Sequence, residues 1–599
     1  MAPGISRFRD TCNVYVLHSG ADAVLIDFGS GAVLDHLADL GVERVTDVLV
    51  THHHRDQVQG LARAAAAGIA VWVPPVEREL IADVDRVWTS RQIDNDYELR
   101  QDRFSLLEAV EVAGEVAEYR SRRYGEHDVY TLPTPGHTVG SVSYLVDVGR
   151  QRVAFTGDLV YDRGKVWSLA ATQWSYTGVE GQVATSLSCA VLAGRAPDVL
   201  LPSHGPPIDD PATTLELVRA RLHELVGLRS ETEWYVDRWL EEPWEALTPR
   251  FLRNRTTFAT NYALLSESGA ALLIDWGYDL TTGPLPATAR SARRSLLWSL
   301  DALRRDYGVD RIEAVVPTHY HDDHVAGIEL LRDVEGVQLW CPDNFASVLE
   351  SPRRYDLPCL WFDAIGVDRR LELRRPVAWR EYALTPYPLP GHTLYAAALS
   401  FEVDGCRVLA TGDQQAVGPA RDVLNYQYRN RFRIDDYVRS AELYLSLRPD
   451  LIVGGHWLPL KVTEARLQAL LDDGIRVAQL HRELLPLDDV DFGAEGFGAR
   501  IVPYRPTGRA GGEVELEVTA LNPFDRRETA TVRLVVPPGW SAAPDVRTVE
   551  LTPHGDAVAI FTVTVPEEAA GVRRARVAAD LTVADVPFGQ QAEALVDVR

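Results

Sequence analysis

Two short runs of the sequence carry histidine and aspartate at spacings that suit metal binding. The first is His52-His53-His54-Arg55-Asp56-Gln57, and the second is His319-Tyr320-His321-Asp322-Asp323-His324. Each run follows an apolar stretch that is predicted to be a strand, so a turn there can present imidazole and carboxylate groups together. The second run is a complete H-x-H-x-D-H, whereas the first ends in Gln57. This difference predicts that the second run is the more competent in catalysis.

Further histidines and aspartates follow each run in the same order along the chain. His137, Asp158 and His204 follow the first run, and His392, Asp413 and His456 follow the second. The flanking segments also recur, with offsets between 248 and 267 residues. A common order with small drifts in offset indicates two copies of one domain that differ by loop insertions and deletions.

With these segments the chain resembles the metallo-β-lactamase fold superfamily, and within it the glyoxalase II-like and lactonase-like metallohydrolases. The resemblance covers roughly Phe8 to Pro207 and Phe251 to Leu460. It implies an α/β fold in which each copy is an αββα sandwich, with metals at one edge of the two sheets. It also implies a set of metal ligands in each copy.

In the second copy the resemblance assigns His319, His321 and His392 to one metal, Asp323, His324 and His456 to a second metal, and Asp413 to a bridge between them. A hydroxide held between the metals would be the nucleophile, because metal binding lowers the pKa of bound water. The resemblance implies that Asp323 orients this group and accepts a proton.

In the first copy the resemblance assigns His52, His54 and His137 to the first metal, and Asp56, His204 and Asp158, with Gln57 in place of a histidine, to the second. Asp56 is the counterpart of Asp323. A glutamine amide oxygen is a weaker ligand than imidazole. Three interpretations stay open: a mononuclear site, a site with a looser second metal, or a relic. The additional His53 is expected to be solvated or to support a ligand.

The resemblance therefore implies a metal-dependent hydrolase that acts on an ester, thioester or lactone. Zinc is the expected metal, with two ions per intact domain, and iron or manganese are alternatives. A mononuclear iron oxygenase of the persulfide dioxygenase type is an alternative that the same residues allow. A further alternative is that the first copy and the C-terminal region are binding or assembly modules around one active domain.

The segment after each bridging aspartate is expected to lie near the metal site. After Asp413 this segment contains Tyr428, Arg429 and Arg431, which we expect to contact an anionic or carboxylate-bearing substrate. The alternative is a solvated loop. The corresponding segment after Asp158 contains Trp167, Trp174 and Tyr176.

Elements that position these residues follow from the apolar spacing. Helical spacing covers residues 88–117, 215–231, 437–447 and 462–485, and strand patterns cover 142–148 and 397–403. After about Asp491 the pattern changes to alternating strands at 513–520, 530–536, 557–565 and 574–583, which predicts an all-β sandwich, fibronectin- or NEW3-like. The predicted domains are 1–210, a helical connector 211–250, 251–490, a linker 491–512 and the sandwich 513–599.

Composition limits the classes of partner and compartment. The net charge of −25 disfavours nucleic acid, so a small-molecule substrate is the expected partner. Five cysteines without C-x-x-C spacing indicate buried thiols in a reducing compartment. No apolar segment is long enough to span a membrane, and no export signal is recognised at the N-terminus. The sequence therefore predicts a cytoplasmic protein, and it makes no prediction of the oligomeric state.

Overall fold

The computed structural model describes residues 3–90, 104–174, 179–229, 242–278, 296–418 and 422–599. The chain divides into two compact units. The first contains Met1–Trp244 and Tyr278–Tyr307, and the second contains Glu245–Gly277 and Gly308–Arg599. No helix among the described residues is long and apolar enough to cross a membrane.

The first unit contains two sheets that pack face to face. The strands of the first sheet, in spatial order, are Ile5–Arg9, Asn13–Ser19, Asp22–Ile26, Arg44–Leu49, Ala70–Val73 and Gly114–Glu115. Those of the second are Val199–Pro202, Gln151–Gly157, Val142–Val148, His127–Pro133 and Ser121–Tyr124. Buried side chains from both sheets, such as Tyr15, Ile26, Tyr144 and Phe155, form one shared core between them.

Helices cover the outer faces of both sheets. They are Arg55–Val58, Leu61–Ala66, Glu79–Ala82, Val84–Ser90, Glu180–Gly194 and Pro211–Arg229, together with the 3-10 turn Ala32–His36 and the later helix Leu296–Tyr307. Each outer face has its own apolar core, one around Val48 and Leu61 and one around Leu192 and Leu222. The four layers confirm the predicted αββα sandwich.

The second unit repeats this plan. Its first sheet contains Trp244–Thr248, Phe251–Asn254, Tyr262–Leu265, Ala270–Ile274, Arg311–Val316, Gln338–Pro342 and Arg369–Leu371. Its second sheet contains Val377–Trp379, Tyr382–Pro388, Ala397–Val403, Cys406–Gly412, Leu451–Gly454 and Leu460–Lys461. Its helices are Asp322–Val325, Ile328–Glu335, Asp343–Glu350, Asp436–Leu447 and Glu464–Leu484, with 3-10 turns at Pro352–Arg354 and Tyr428–Asn430 and a hairpin of Gln415–Ala416 with Val423–Leu424.

The C-terminal strands form two sheets around a core that includes Leu516, Val532, Phe561 and Leu581, and they pair antiparallel except for Thr507–Gly508, which lies parallel to Val586–Val598. The four-stranded sheet contains Ala499–Val502, Glu513–Leu521, Asp556–Thr564 and Ser541–Ala543. The five-stranded sheet contains Thr507–Gly508, Val586–Val598, Ala575–Val583, Glu528–Val535 and Val546–Leu551, and the 3-10 turn Glu567–Ala569 lies between two strands. Alternation of buried and exposed residues along Glu513–Leu521 is the period-two pattern that predicted the sandwich.

Several element boundaries differ from the prediction. Residues 91–103 of the predicted helix 88–117 lie outside the described residues, and residues 104–113 are not helical. The main chain from Val110 to Val116 is hydrogen-bonded to Ile81 and to strand Ala70–Val73 instead, and Gly114–Glu115 is a strand of that sheet. The predicted linker 491–512 contains two short sandwich strands, Ala499–Val502 and Thr507–Gly508, set between its glycines and prolines. Helix Leu296–Tyr307 belongs to the first unit, where Trp298 packs against Val183 and Val226.

Candidate metal centres

In the second unit the predicted ligands lie in loops at the ends of neighbouring strands. His319 and His321 follow strand Arg311–Val316, Asp413 follows Cys406–Gly412, and His456 follows Leu451–Gly454. Strands Arg311–Val316 and Ala270–Ile274 are parallel, as are Cys406–Gly412 and Leu451–Gly454, so their carboxyl ends meet at one edge. This topology brings residues that are far apart in sequence to one place.

The seven predicted ligands of the second unit form two overlapping groups. One group is His319, His321, His392 and Asp413, and the other is Asp323, His324, Asp413 and His456. Within each group the candidate ligand atoms all lie within 4.8 Å of one another. Asp413 is common to both groups, which is the place that the resemblance gives to a bridging carboxylate. The donor set of imidazole and carboxylate suits two divalent cations.

Hydrogen bonds hold the histidine rings of this site in fixed orientations. His324 Nδ1 lies 2.9 Å from Asp275 Oδ2, and His392 Nδ1 lies 2.8 Å from the main-chain oxygen of Asn425. His319 Nδ1 lies 3.1 Å from Thr318 Oγ1, which in turn donates to Asp275. Such bonds from the second ring nitrogen fix the tautomer of metal-binding histidines.

The opposite ring nitrogens fit a bound metal. Nε2 of His319, His321 and His324 and Oδ1 of Asp413 are buried and have no hydrogen-bond partner among the residues that the structure describes. A buried polar atom without a partner is costly, and coordination to a cation removes that cost. The residues present therefore fit the divalent metals that the ligand chemistry calls for.

The first unit brings its histidines together in one such group. His52, His54 and His137 place their ligand atoms within 4.8 Å of one another, and all three are buried. Nε2 of His52 and His54 lacks a partner among the described residues. Asp158 Oδ2 lies 3.6 Å from His52 Nε2 and 3.4 Å from His137 Nε2. The three histidines fit a first metal here as well.

The remaining predicted ligands of the first unit are engaged with one another. His204 Nδ1 lies 2.8 Å from Asp158 Oδ1, and His204 Nε2 lies 3.2 Å from Asp56 Oδ2. Gln57 Nε2 donates to Asp158 Oδ2 at 3.1 Å. The ring of Trp167 stacks on His204, with centroids 4.0 Å apart and an interplanar angle of 3°. Asp56, Gln57, Asp158 and His204 therefore form a hydrogen-bonded cluster.

The two central aspartates differ in their electrostatics. Burial raises the pKa of Asp158, and hydrogen bonding and charge from His204 offset this only in part. Burial acts in the same direction on Asp413, but the neighbouring His324, His456 and His319 outweigh it and hold the pKa of Asp413 well below its usual value. In the second domain the positive charge of His324 lowers the pKa of Asp413, whereas Gln57, at the same place in the first domain, is neutral and cannot lower the pKa of Asp158 in this way.

Burial also sets the state of the first-metal histidines. Burial and the neighbours His54 and His137 lower the pKa of His52 well below its usual value. Burial, His324 and His321 do the same to the pKa of His319. Both rings are therefore neutral near pH 7, which is the form that coordinates a metal.

Sequence reasoning missed three supporting residues. Asp27 and Asp275 are buried carboxylates that bind the threonine before each histidine run, and their recurrence in both copies was the available signal. Glu77 is buried, pairs with His53 Nδ1 and accepts from Thr138 Oγ1 at 2.8 Å. No repeat marks Glu77, because the second copy has Tyr320 at the place of His53. Of the two expectations for His53, the structure places it in support of the site and not in solvent.

One segment of the second unit, which contains Tyr428, Arg429 and Arg431, is hydrogen-bonded to a candidate ligand of that unit. Asn430 Nδ2 donates to the main-chain oxygen of His392 at 3.0 Å. Arg429 and Arg431 line a cavity of about 280 Å³ whose other wall includes Phe497 of the C-terminal region. Tyr428 is instead hydrogen-bonded to His481, with 2.9 Å between Oη and Nε2. Trp174 is buried, and Tyr176 lies outside the described residues.

The family model of the metallo-beta-lactamase superfamily matches this chain twice, over residues 7–204 and 255–456. The chain belongs to the metallo-beta-lactamase superfamily. Both matched regions end at the last predicted ligand of their copy, His204 and His456. The histidine and aspartate clusters lie within the two matched regions, and each could hold a metal ion.

Curated relatives in this superfamily are similar over part of their length. A hydroxyacylglutathione hydrolase of Methylobacterium nodulans is 31% identical over 136 residues, which are 22% of this chain and 41% of the relative. One from Bartonella quintana is 29% identical over 118 residues, 20% of this chain and 35% of the relative. The chain thus spans less than half the length of these relatives.

Solved structures of the superfamily are similar at low identity. A metallo-beta-lactamase family protein of Thermus thermophilus is 19% identical and covers 38% of this chain and 81% of its own, with a TM-score of 0.30. The FEZ-1 metallo-beta-lactamase of Legionella gormanii is 17% identical and covers 40% of this chain and 97% of its own, with a TM-score of 0.31.

Proposed function

We propose that the protein is a metal-dependent hydrolase of ester, thioester or lactone bonds, and that its second domain is the more competent. The observation that supports this most directly is the meeting of seven ligand side chains around the shared Asp413. Two divalent cations held there would lower the pKa of water and polarise the oxygen of a scissile carbonyl. Zinc is the metal that we propose, because imidazole and carboxylate ligands in this number suit it.

Asp323 is the residue that we propose to move the proton. Its side chain is 15% exposed, whereas that of His324 is fully buried, so water and substrate reach Asp323 more easily. Asp323 Oδ2 lies 3.1 Å from His456 Nε2, which fixes the carboxylate at the mouth of the site. A carboxylate held in this way can orient an attacking water and accept its proton. Asp56 occupies the matching place in the first domain, 3.2 Å from His204 Nε2.

The thioester part of the proposal is supported by the curated relatives. Their name, hydroxyacylglutathione hydrolase, describes hydrolysis of an acyl thioester of glutathione. Because the match covers less than half of those proteins, the thioester is one of three bond types to be tested.

We further propose that Arg429 and Arg431, with Tyr428 beside them, contact an anionic substrate. Arg431 Nη1 donates to Tyr395 Oη at 2.5 Å, and the Tyr395 ring contacts Tyr320, which lies between two ligand histidines. Arg429 lies 3.6 Å from Asp356, over the ring of Phe497. We propose that these guanidinium groups pair with a carboxylate on the substrate.

The acidic composition supports a small molecule over nucleic acid as the partner. All five cysteines are free; Cys12, Cys189 and Cys341 are buried as expected, whereas Cys406 is half-buried and Cys359 is exposed. Free thiols support a reducing compartment, and the cytoplasm is the location that we propose.

The test is a substrate screen joined to metal analysis. Wild-type protein, His52→Ala and His321→Ala are each assayed against esters, thioesters, lactones and phosphodiesters, and their zinc, iron and manganese contents are measured. We expect hydrolysis of an ester, thioester or lactone that is lost in His321→Ala and largely retained in His52→Ala. One iron per domain with oxygen consumption would overturn the proposal in favour of a persulfide dioxygenase-type oxygenase. Loss of activity only in His52→Ala would overturn the assignment to the second domain.

A further inference from the structure

We infer that the first domain is a one-metal site, because Gln57 and Ser203 together replace the pair His324 and Gly455 that completes the second-metal position in the second domain. This inference rests on the proposed metal-dependent function, but it concerns the number of ions and not the reaction. The first copy is then a mononuclear site, and neither a site with a looser second metal nor a relic.

In the second domain His324 needs a glycine opposite it. A Cβ added to Gly455 would lie 2.6 Å from His324 Cε1 and 2.1 Å from Asp413 Oδ1, which is closer than real Cβ atoms approach. The ring of His324 therefore occupies the space that a side chain at position 455 would fill. In exchange, the ring places Nδ1 2.9 Å from the buried Asp275.

In the first domain the residue at the place of Gly455 is Ser203, and its hydroxyl takes over the bond to the buried aspartate. Ser203 Oγ donates to Asp27 Oδ2 at 2.5 Å, and Asp27 also accepts from Thr51. Both Ser203 and Asp27 are buried. The carboxylate that anchors a metal-binding histidine in one domain is thus satisfied by a serine in the other.

Gln57 completes this rearrangement on the metal side. Its amide nitrogen donates to Asp158 Oδ2 at 3.1 Å, so an N–H points at the carboxylate that would bridge two metals. Both ring nitrogens of His204 are bonded to carboxylates, at 2.8 Å to Asp158 and 3.2 Å to Asp56. In the second domain His456 faces both carboxylates through Nε2 alone, so no bond at its other ring nitrogen has to break. A second cation in the first domain would have to break the bond of His204 Nδ1 to Asp158, and in place of His324 it would gain Gln57 Oε1, which is buried and unpaired among the described residues and is a weaker ligand than imidazole.

The two replacements are coupled. A histidine at position 57 would meet the side chain of Ser203, as the geometry at Gly455 shows, and it would compete with Ser203 for Asp27. Replacing Ser203 alone by glycine would leave Asp27 short of a donor without creating a ligand. Only the double change converts one arrangement into the other.

The experiment counts zinc in the full-length protein by plasma mass spectrometry after dialysis against buffered zinc. We expect about three ions per chain for wild type and about four for Gln57→His/Ser203→Gly. Gln57→His alone should stay at about three, and the reverse change His324→Gln/Gly455→Ser should fall to about two. His52→Ala should lose about one ion, which assigns a single ion to the first domain.

Four ions in wild type, or a loss of two ions in His52→Ala, would overturn the inference. If circular dichroism shows that Gln57→His/Ser203→Gly is unfolded, the inference is tested by the zinc counts of the wild type and of His324→Gln/Gly455→Ser. The outcome is separate from that of the proposed function: three ions without hydrolysis of any tested bond would refute the proposed function and leave this inference standing. A count near zero in both domains would refute both.

Discussion

His324 Nδ1 lies 2.9 Å from Asp275 Oδ2, and both side chains are buried. The same carboxylate accepts from the main-chain N–H of Thr318 at 2.6 Å and from the Thr318 hydroxyl. One buried aspartate therefore fixes both ends of the histidine run that supplies four ligands. The site depends on a residue that is itself no ligand.

Replacing this carboxylate should weaken metal binding in the second domain. Asp275→Asn keeps the size of the side chain but removes the charge and one acceptor from His324 Nδ1. We expect a loss of about 10–100-fold in zinc affinity at one of the two positions. Isothermal titration of zinc into the apoprotein measures this, and Asp27→Asn is the matched control that should leave both positions of the second domain intact. Unchanged affinity in Asp275→Asn would contradict the anchoring role.

Gly277 should tolerate no side chain, because the backbone before His324 passes directly over it. A Cβ there would lie 1.5 Å from the main-chain oxygen of Asp323. Gly277→Ala should displace Asp323 and His324 and abolish hydrolysis by the second domain. Gly366→Ala is the control, since its Cβ would meet only Arg332 at 3.6 Å. Full activity and zinc content in Gly277→Ala would show that this packing does not hold the site.

Removing the metals should lower the thermal stability of the protein. A ligand at 100 times its Kd stabilises the folded state by about 2.7 kcal/mol per site. We expect EDTA to lower the Tm in calorimetry and excess zinc to restore it. In His319→Ala/His324→Ala the shift on EDTA addition should be smaller, because the second domain then contributes little. An equal shift in this variant and in wild type would show that the second domain binds no stabilising metal.

Arg429 and Arg431 should lower the KM for substrates that carry a negative charge. Arg429→Ala/Arg431→Ala should raise KM for a carboxylate-bearing substrate by about 10-fold or more while kcat changes little, because charge-assisted hydrogen bonds of this kind contribute about 1.5–3 kcal/mol. A neutral ester with the same leaving group serves as the control, and its KM should stay the same. Arg407→Ala removes a guanidinium that pairs with Asp450 and checks for a general effect of charge. The same KM in the double variant for both substrates would refute the contact.

Stability should fall as the pH rises through about 6, because of Asp436. This residue is fully buried at the start of helix Asp436–Leu447, and burial raises its pKa from 3.8 to about 6. Because the pKa of Asp436 is higher in the folded state than in the unfolded state, its bound proton stabilises the fold fully below about pH 4. This contribution to the free energy of unfolding is lost as the pH rises through about 6. Asp436→Asn should remove a cost on the order of 1–3 kcal/mol at pH 8 and change little at pH 4. Denaturant unfolding at both pH values measures this, and an equal effect at both would contradict it.

The candidate ligands could be named from the sequence because they obey two simple constraints. Metal coordination fixes residue types, and the duplication displays each type twice, as with His319 and His52. Strands Val142–Val148 and Ala397–Val403 and helices Asp436–Leu447 and Glu464–Leu484 follow from apolar periodicity. Contacts between residues far apart in the chain could not be predicted from residue types and spacing. Nothing in the sequence shows that Ser203 faces Asp27 across 176 residues, or that Glu77 pairs with His53.

One strand of the C-terminal region, Val586–Val598, was not predicted from the sequence. Val586–Val598 is the longest strand there, yet it contains Pro587, Gly589 and two glutamines that hide the alternation. Its position is set by nine residue pairs with strand Ala575–Val583, which include two register shifts. Long-range pairing overrides local propensity in such a strand.

Asp27 and Asp275 have left-handed backbones, with φ of 57° and 58°, each directly after a buried strand. Such a conformation costs on the order of 1 kcal/mol or more for a residue with a side chain. Glycine would relax either position, but it would leave the buried donors of Thr51 and Ser203, or of Thr318 and His324, without an acceptor. The hydrogen bonds that hold these two residues in a strained conformation are thus the ones that orient the histidine runs, so a change at either residue costs stability and metal binding together.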